Sequence, residues 1–377
     1  MRDPMKLSRM EIRLRKEISV AEDSTIIGSK RAELAAYWAR LGKFTEASEQ
    51  LKSLRIEFQN NPNIRVSAAI HLADGLIDHF TDMRESAREK ILRASALAHA
   101  GGISPIISTS AAWLAQLDYL QLNHRSMVIH LRRAFQFSTE ADHAARCRAA
   151  LVVAQSYHYA GDSSVARGWY AYAHSHAVAD ADDASISALM HNMAWLRFNE
   201  LRAAVFSNCT DQCPPDLRLV EVDSIFNYDK IIGSTSLSSF VAVLRAQILT
   251  ASGRYEEALV IFENDLERAV EQGMERLRAD WVADEAWCLL NIGQIERARV
   301  NIQLAEKSID ATSFDDDLAF SHFRVFQVYK GLDDPSHAML HFEHAKVAWL
   351  RHLNVREALC VHMETVCTLE IMSKIAM

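Results

Sequence analysis

Glycine and proline are scarce, with only 12 and 6 in 377 residues. A β-sandwich or an α/β enzyme of this length needs more turn residues, and no sustained Val/Ile alternation marks a strand. Long apolar runs are also missing. No segment approaches the roughly 20 residues of a membrane span, and the amino terminus lacks the apolar core of a signal peptide, so the expected location is cytoplasmic. Six scattered cysteines, Cys147, Cys209, Cys213, Cys288, Cys360 and Cys367, build no secreted disulfide framework and read mostly as buried small hydrophobes. Excess positive charge is absent: 41 Lys and Arg stand against 49 Asp and Glu, a net charge of -8. That argues against direct nucleic-acid binding, which needs a basic face to neutralise phosphates. There is no Gly-rich phosphate loop, His-Glu-x-x-His or Gly-x-Ser-x-Gly, so no catalytic residue is assigned, no cofactor is implied and no enzyme is expected.

What remains is rich in Ala, Leu, Arg and Glu, and it repeats. The phrase "GRYEEA" at 253–258 places Gly253 five residues before Ala258, and the same spacing joins Gly42 to Ala47, Gly161 to Ala166 and Gly293 to Ala298. Weaker copies put Asp or Asn at the first position: Asp82 with Ala87, Asn123 with Val128, Asn199 with Ala204 and Asp333 with Ala338. Gly, Asn and Asp enter the left-handed conformation most cheaply, as a helix C-terminus requires. Six of the seven steps between the alanine-type anchors are 38–41 residues, and the fifth, from Ala204 to Ala258, is 54. A helix stop recurring at such a period predicts stacked helix-turn-helix units. Nine residues before the anchors stand large side chains such as Trp38, Tyr157 and Leu249; twelve before stand mostly small ones such as Ala35, Gly75 and Ala246.

The stretches "AQILTASGRYEEALVIF" and "AQSYHYAGDSSVARGWY" resemble the tetratricopeptide repeat family, whose pattern pairs a small residue and an aromatic on a first helix with a Gly-x-Tyr-x-x-Ala turn. The family's usual repeat is 34 residues, so a 40-residue period implies longer helices on the same plan, as in bacterial regulatory proteins of this type. The resemblance implies an all-α fold, a right-handed superhelix or α-solenoid of about eight repeats. The expected divisions are an N-terminal capping helix over 1–27, five repeats over 28–206, an irregular connector or extra short helix over 207–238, three repeats over 239–350, and a C-terminal capping helix over 351–377. Pro214 and Pro215 should stop a helix inside the connector.

The resemblance also implies a concave groove lined by the first helix of each pair. Offsets of fifteen, eleven and eight residues before the anchors share one helical face. They give Trp113, Gln155, His158, Met193, Gln247, Trp287, Phe323, Gln327 and Lys330 as groove residues, with Gly42, Gly161, Gly253 and Gly293 as structural turn residues. A primary amide can both donate to and accept from a peptide backbone; equally, a stripe this apolar can be core. The basic arrangement of carboxylate-clamp repeats is not reproduced.

Other clusters carry less. Basic residues of the amino-terminal segment, among them Arg9, Arg13 and Arg15, read as a solvated face of the capping helix or a site for an acidic partner. Cys209-x-x-x-Cys213 is half a metal site without a second pair. His341 with His344, and His174 with His176, are neighbours of a kind that 16 histidines produce by chance, and no metal is assigned. Asp315, Asp316 and Asp317 read as a helix N-terminal cap. The expected function is a non-enzymatic interaction scaffold or adaptor that binds a peptide or partner domain in its groove. The alternative is a ligand- or peptide-responsive regulator acting through a partner chain. The partners implied are another protein or peptide, with homodimerisation left open.

Overall fold

A computed structural model describes residues 8–207, 215–309 and 314–367, with the side chains of 215–218 and 367 excepted. Cys209, Cys213 and the half metal site they form lie outside the described residues.

Those residues are helical throughout, without strands. In chain order the helices are α1 (Arg9–Val20), α2 (Ser24–Arg40), α3 (Phe44–Glu57), α4 (Ile64–Asp82), α5 (Ser86–Ala100), α6 (Ser104–Leu120), α7 (His124–Gln136), α8 (His143–Ala160), α9 (Ser163–Ala179), α10 (Asp183–Phe206), α11 (Pro215–Ile232), α12 (Ser238–Ala251), α13 (Tyr255–Ala269), α14 (Arg278–Asn291), α15 (Ile295–Ser308), α16 (Asp315–Gly331) and α17 (Pro335–Cys367). A π-helical turn, Val270–Met274, and a 3₁₀ turn, Glu275–Leu277, join α13 to α14. After α1 the helices form eight consecutive pairs, as the anchor count predicts. None is long and apolar enough to cross a membrane.

The turn chemistry explains the period. At the end of α12, Gly253 has φ 73°; its N–H donates to the Thr250 carbonyl at 3.1 Å and the Arg254 N–H to the Leu249 carbonyl at 2.9 Å. This is a Schellman closure, which satisfies carbonyls that the helix end would otherwise orphan. The longer bond recurs from Lys43 to Trp38, Asp162 to Tyr157, Gln294 to Leu289 and Asp334 to Tyr329. In these five copies the residue nine before the anchor therefore supplies the accepting carbonyl as well as a packing side chain. Gly42, Gly161, Gly293 and Asp333 are left-handed as expected.

Three weak copies differ. In the third, Leu122 is the left-handed residue, while Asn123 caps α7 by accepting from the Ser126 N–H. Moving the anchor back by one to Met127 puts Ala115 and Leu131, both fully buried like Met127, where Gln116 and Arg132 stood, and puts Asp118, whose carbonyl accepts from the Asn123 N–H at 2.8 Å, in place of Tyr119. In the second, the left-handed residue is Met83 rather than Asp82. In the fifth, Asn199 stops nothing: α10 runs 24 residues to Phe206, because Phe198 and Leu201 are buried and Arg202 is ion-paired to Asp280. Tertiary contacts override a weak local stop. Its partner helix α11 is 18 residues long and occupies the stretch read as an irregular connector or short helix. Ser187 on α10 donates to Asp229 on α11 at 2.5 Å. At the other end α17 is one helix of 33 residues, without a break at 351.

The described residues divide into two compact units. One takes residues up to Met190 with Tyr228–Ser236 and the stretch from Ala358; the other takes His191–Asn227 and Leu237–Glu357. In the first, α1 closes onto the repeats through charge. Arg9 Nε and Nη2 donate to Asp183 at 2.9 and 2.5 Å, and buried Glu11 accepts from Arg15 and Lys43. The basic residues read as a solvated face are thus largely spent on internal carboxylates. In the second unit, Asp315–Asp317 form the first turn of α16 behind an N-cap at Phe314 that makes no side-chain cap bond. Asp317 pairs with Arg276 and Asp315 with Arg351 instead.

Gly75 shows how closely a pair is packed. A Cβ there would lie 2.6 Å from Ile91 Cγ1 and 3.0 Å from the Ala87 carbonyl oxygen, so α4 and α5 meet where only hydrogen fits. Overpacking costs about 1–3 kcal/mol, and alanine returns about 1 kcal/mol of helix propensity. Gly75→Ala should therefore lose up to roughly 2 kcal/mol net, read as a lower urea midpoint at unchanged slope.

Candidate functional site

A concavity lies within the first unit. It is a cavity of about 410 Å³ whose walls come from α1, α2, α4, α6 and α8, with Asp180 and Ser185 beside them. Apart from α1, these walls are the first helices of the first four pairs, the elements expected to line a groove. Ala69, Leu72, Leu76 and Ile106 make one side apolar, and Arg13, Arg40 and Arg148 bring guanidinium groups to it.

The three arginines are in different states. Arg40 is spent: Nη1 and Nη2 donate to the Asp182 carboxylate at 2.8 and 2.9 Å, and Nη2 also to Ser185 Oγ at 2.7 Å. Arg13 contacts Asp180 Oδ1 at 3.0 Å, while its Nε is buried with no hydrogen-bond partner. Arg148 is 6% exposed and makes no ion pair among the described residues. Its Nη1 reaches Gln116 Oε1 only at 3.4 Å, its Nε has no partner, and its Cζ sits 4.0 Å from the centroid of the Trp113 ring. Burial, reinforced by the charge of Arg40, pulls its pKa down to about 10, so it stays cationic at neutral pH. The same burial, with Arg148 adding to it, holds His79 neutral with a pKa of about 4; His79 stands edge-on to Trp113 at 6.0 Å. Asp180 is pushed up to about 7, chiefly by burial.

The sequence-derived groove residues divide between the units. In the first, Trp113 lines the cavity, but Gln155 and His158 are buried. Gln155 Oε1 has no partner, and His158 Nδ1 lies 3.3 Å from Tyr170 Oη. In the second, Gln247, Trp287 and Gln327 do come together, around Asp284 and Arg324. Gln247 is 1% exposed and donates to Asp280 and Asp284 at 2.9 and 2.8 Å. Arg324 donates to Asp284 at 2.5 Å and to Gln327 at 2.7 Å, with its Cζ 5.5 Å from the Trp287 ring centroid. Gln247 Nε2 and Gln327 Oε1 are thus taken up by internal charges, while Gln247 Oε1, like that of Gln155, has no hydrogen-bond partner among the described residues. Burial raises Asp280 to about 6 despite its pair with Arg202. Met193 is half-buried; Phe323 packs edge-on to Phe206 at 5.0 Å, and of these groove residues only Lys330 is exposed.

Arg148, Asp180 and Asp284 were missed, whereas Arg13 is among the amino-terminal basic residues named from the sequence. The offsets from the anchors select one face near the C-terminal half of each first helix, and these residues lie outside those columns. The available signal was a pair of basic residues, Arg146 and Arg148, inside the otherwise apolar run of α8.

No family model matches the chain, and no curated protein matches it. Among solved structures, the crystal structure of Rap protein complexed with Competence and Sporulation Factor aligns at a TM-score of 0.51 and 11% identity, covering 93% of this chain and 92% of that one. The IFIT1 monomeric mutant with Gppp-AAAA aligns at 0.43 and 14% identity, covering 97% and 95%. The first is a likeness of fold alone, in keeping with the all-helical array of paired helices described above.

Proposed function

We propose that the chain is a binding protein whose first-unit cavity receives a short peptide segment carrying a carboxylate. The observation that carries this is Arg148, a buried guanidinium in the cavity wall that makes no ion pair among the described residues, since the Asp182 carboxylate near it is taken up by Arg40. An unpaired buried charge is expensive and is retained where a ligand supplies the missing partner. The volume is in the range that encloses small ligands, roughly 300–1,000 Å³, which suits a chain end or a few residues rather than a folded domain. Apolar side chains would lie against Leu72, Leu76 and Ile106 while the carboxylate meets Arg148, with Trp113 fixing the guanidinium plane. The fold neighbour Rap, solved in complex with Competence and Sporulation Factor, supports this reading over the scaffold for a whole partner domain.

The test compares short apolar peptides with free and amidated C-termini for binding to the full chain by fluorescence anisotropy. Free-acid peptides should bind, and Arg148→Met should weaken them about 10–100-fold, the worth of a charge-assisted hydrogen bond. The same variant should keep or raise the melting temperature, because it removes an unpaired buried charge. Binding indifferent to both the C-terminal charge and residue 148 would sink the assignment.

A further inference from the structure

The second unit gathers three histidines that neither the cavity nor the repeat turns use. His322 projects from α16, and His341 and His344 from α17, three residues apart; one ring nitrogen from each lies within 4.8 Å of the others. His322 Nδ1 and His341 Nδ1 face one another at 2.9 Å. His341 Nε2 lies 2.8 Å from Glu306 Oε1 on α15, and Glu306 Oε2 accepts from the Tyr329 hydroxyl at 2.5 Å.

This arrangement fixes a tautomer. A glutamate carboxylate can only accept, so His341 Nε2 carries the proton and its Nδ1 presents a lone pair toward His322. A carboxylate holding the far N–H of an imidazole is the usual orienting partner of a metal-ligating histidine. We infer that His322, His341 and His344 form a site for a divalent transition metal of the zinc type, with Glu306 orienting His341 and water completing the shell. Imidazole ligands suit zinc, and three of them with one open position make a common coordination. Zn–N bonds of about 2.0–2.1 Å place tetrahedral ligands about 3.4 Å apart. The close pair therefore separates by a few tenths of an ångström, and His344, which is exposed, swings inward and leaves a path to solvent. A bound metal would tie α16 to α17 and, through Glu306, to α15.

The first unit contains a comparison pair. His143 Nδ1 and His176 Nδ1 also face one another at 2.9 Å, with ring centroids 5.1 Å apart as in the His322–His341 pair. The Glu140 carboxylate is 3.9 Å from His176 Nε2, and among the described residues no third ligand joins the pair. Two facing imidazoles alone are accounted for by an N–H···N hydrogen bond; the third histidine and the close glutamate set the second-unit cluster apart.

The experiment uses untagged full-length protein stripped with chelator, titrated with Zn²⁺ by calorimetry and with Co²⁺ by visible absorption. One Zn²⁺ per chain and a tetrahedral Co²⁺ spectrum are expected. His344→Gln, at an exposed position that leaves folding intact, and His322→Gln should each abolish the spectrum, and Glu306→Gln should weaken binding about 10–100-fold. His143→Gln and the Cys209→Ser, Cys213→Ser double variant should leave both signals unchanged. The absence of stoichiometric binding, or binding that survives both His322→Gln and His344→Gln, would overturn the site.

Discussion

Arg40→Met should cost the first unit about 3–5 kcal/mol, the usual penalty for stranding one member of a buried ion pair. The Arg40 and Asp182 side chains are 10% and 2% exposed, and Asp182 meets the guanidinium with both oxygens. Burial opposes ionisation of Asp182, but Arg40 and the Ser185 bonds outweigh it and hold the carboxyl below its ordinary range. The methionine variant keeps the stem's packing and removes only the charge. Asp182 then retains its bonds from the Ser185 N–H and Oγ, which places the expected loss toward the lower end of the range. Arg40→Lys should recover little, because one ammonium cannot satisfy two carboxylate oxygens and Ser185 together. Arg40→Met with Asp182→Asn should recover most of it, since the amide oxygen still accepts at the start of α10 and no charge is stranded. Urea unfolding of the three variants measures this; single and double variants of equal stability would contradict it. The pH sign follows from the lowered pKa: this stability is present above the ordinary carboxylate value near 3.8 and is lost as pH falls through the folded value.

The contrast between Arg40 and Arg148 also shows what the sequence could disclose. Helix pairing was legible because it depends on local chemistry: Gly253 needs a left-handed φ, Ala258 needs to be small, and both lie within six residues of the turn. The one-residue error in the third copy has the same origin, since Asn123 is equally good as a left-handed residue and as an N-cap, and only the fold shows that it is the cap. Asn199 failed for the opposite reason. Its local preference was overruled by Phe198, Leu201 and the distant Asp280. The groove glutamines Gln155 and Gln247 are buried, and whether the Gln247 amide is free depends on Asp280 and Asp284, 33 and 37 residues further on. The three histidines are similar: His341 and His344 are adjacent on one helix, whereas His322 and Glu306 reach them only through the packing of α15 and α16. Sequence spacing reports what one helix does, and the sites here depend on what several helices bring together.

Asp180 gives the second large effect, and it links stability to binding in the cavity. Burial raises its pKa to about 7 from 3.8; Asp182 and Glu33 push in the same direction, while Arg13 and Arg40 oppose them. A folded pKa above the unfolded one means that the proton stabilises the fold. The contribution is fully present below about pH 4 and is lost as pH rises through 7. A rise of about three units at 1.36 kcal/mol each sets an upper bound of about 4 kcal/mol, reduced in practice because Arg13 is about one-third exposed and water screens the site. Asp180→Asn, which mimics the protonated acid, should therefore stabilise the first unit by about 2–4 kcal/mol above pH 8, and the gain should shrink to nothing between pH 7 and pH 4. Because Asp180 lines the same cavity as Arg148, its ionisation also opposes an incoming carboxylate. Free-acid peptides should bind wild type more weakly as pH rises through 7, and Asp180→Asn should flatten that dependence while Arg148→Met lowers affinity across the whole range. A wild-type profile that stays flat from pH 6 to 8.5, or a decline that persists in Asp180→Asn, would remove Asp180 from control of the cavity while leaving the Arg148 assignment to its own test.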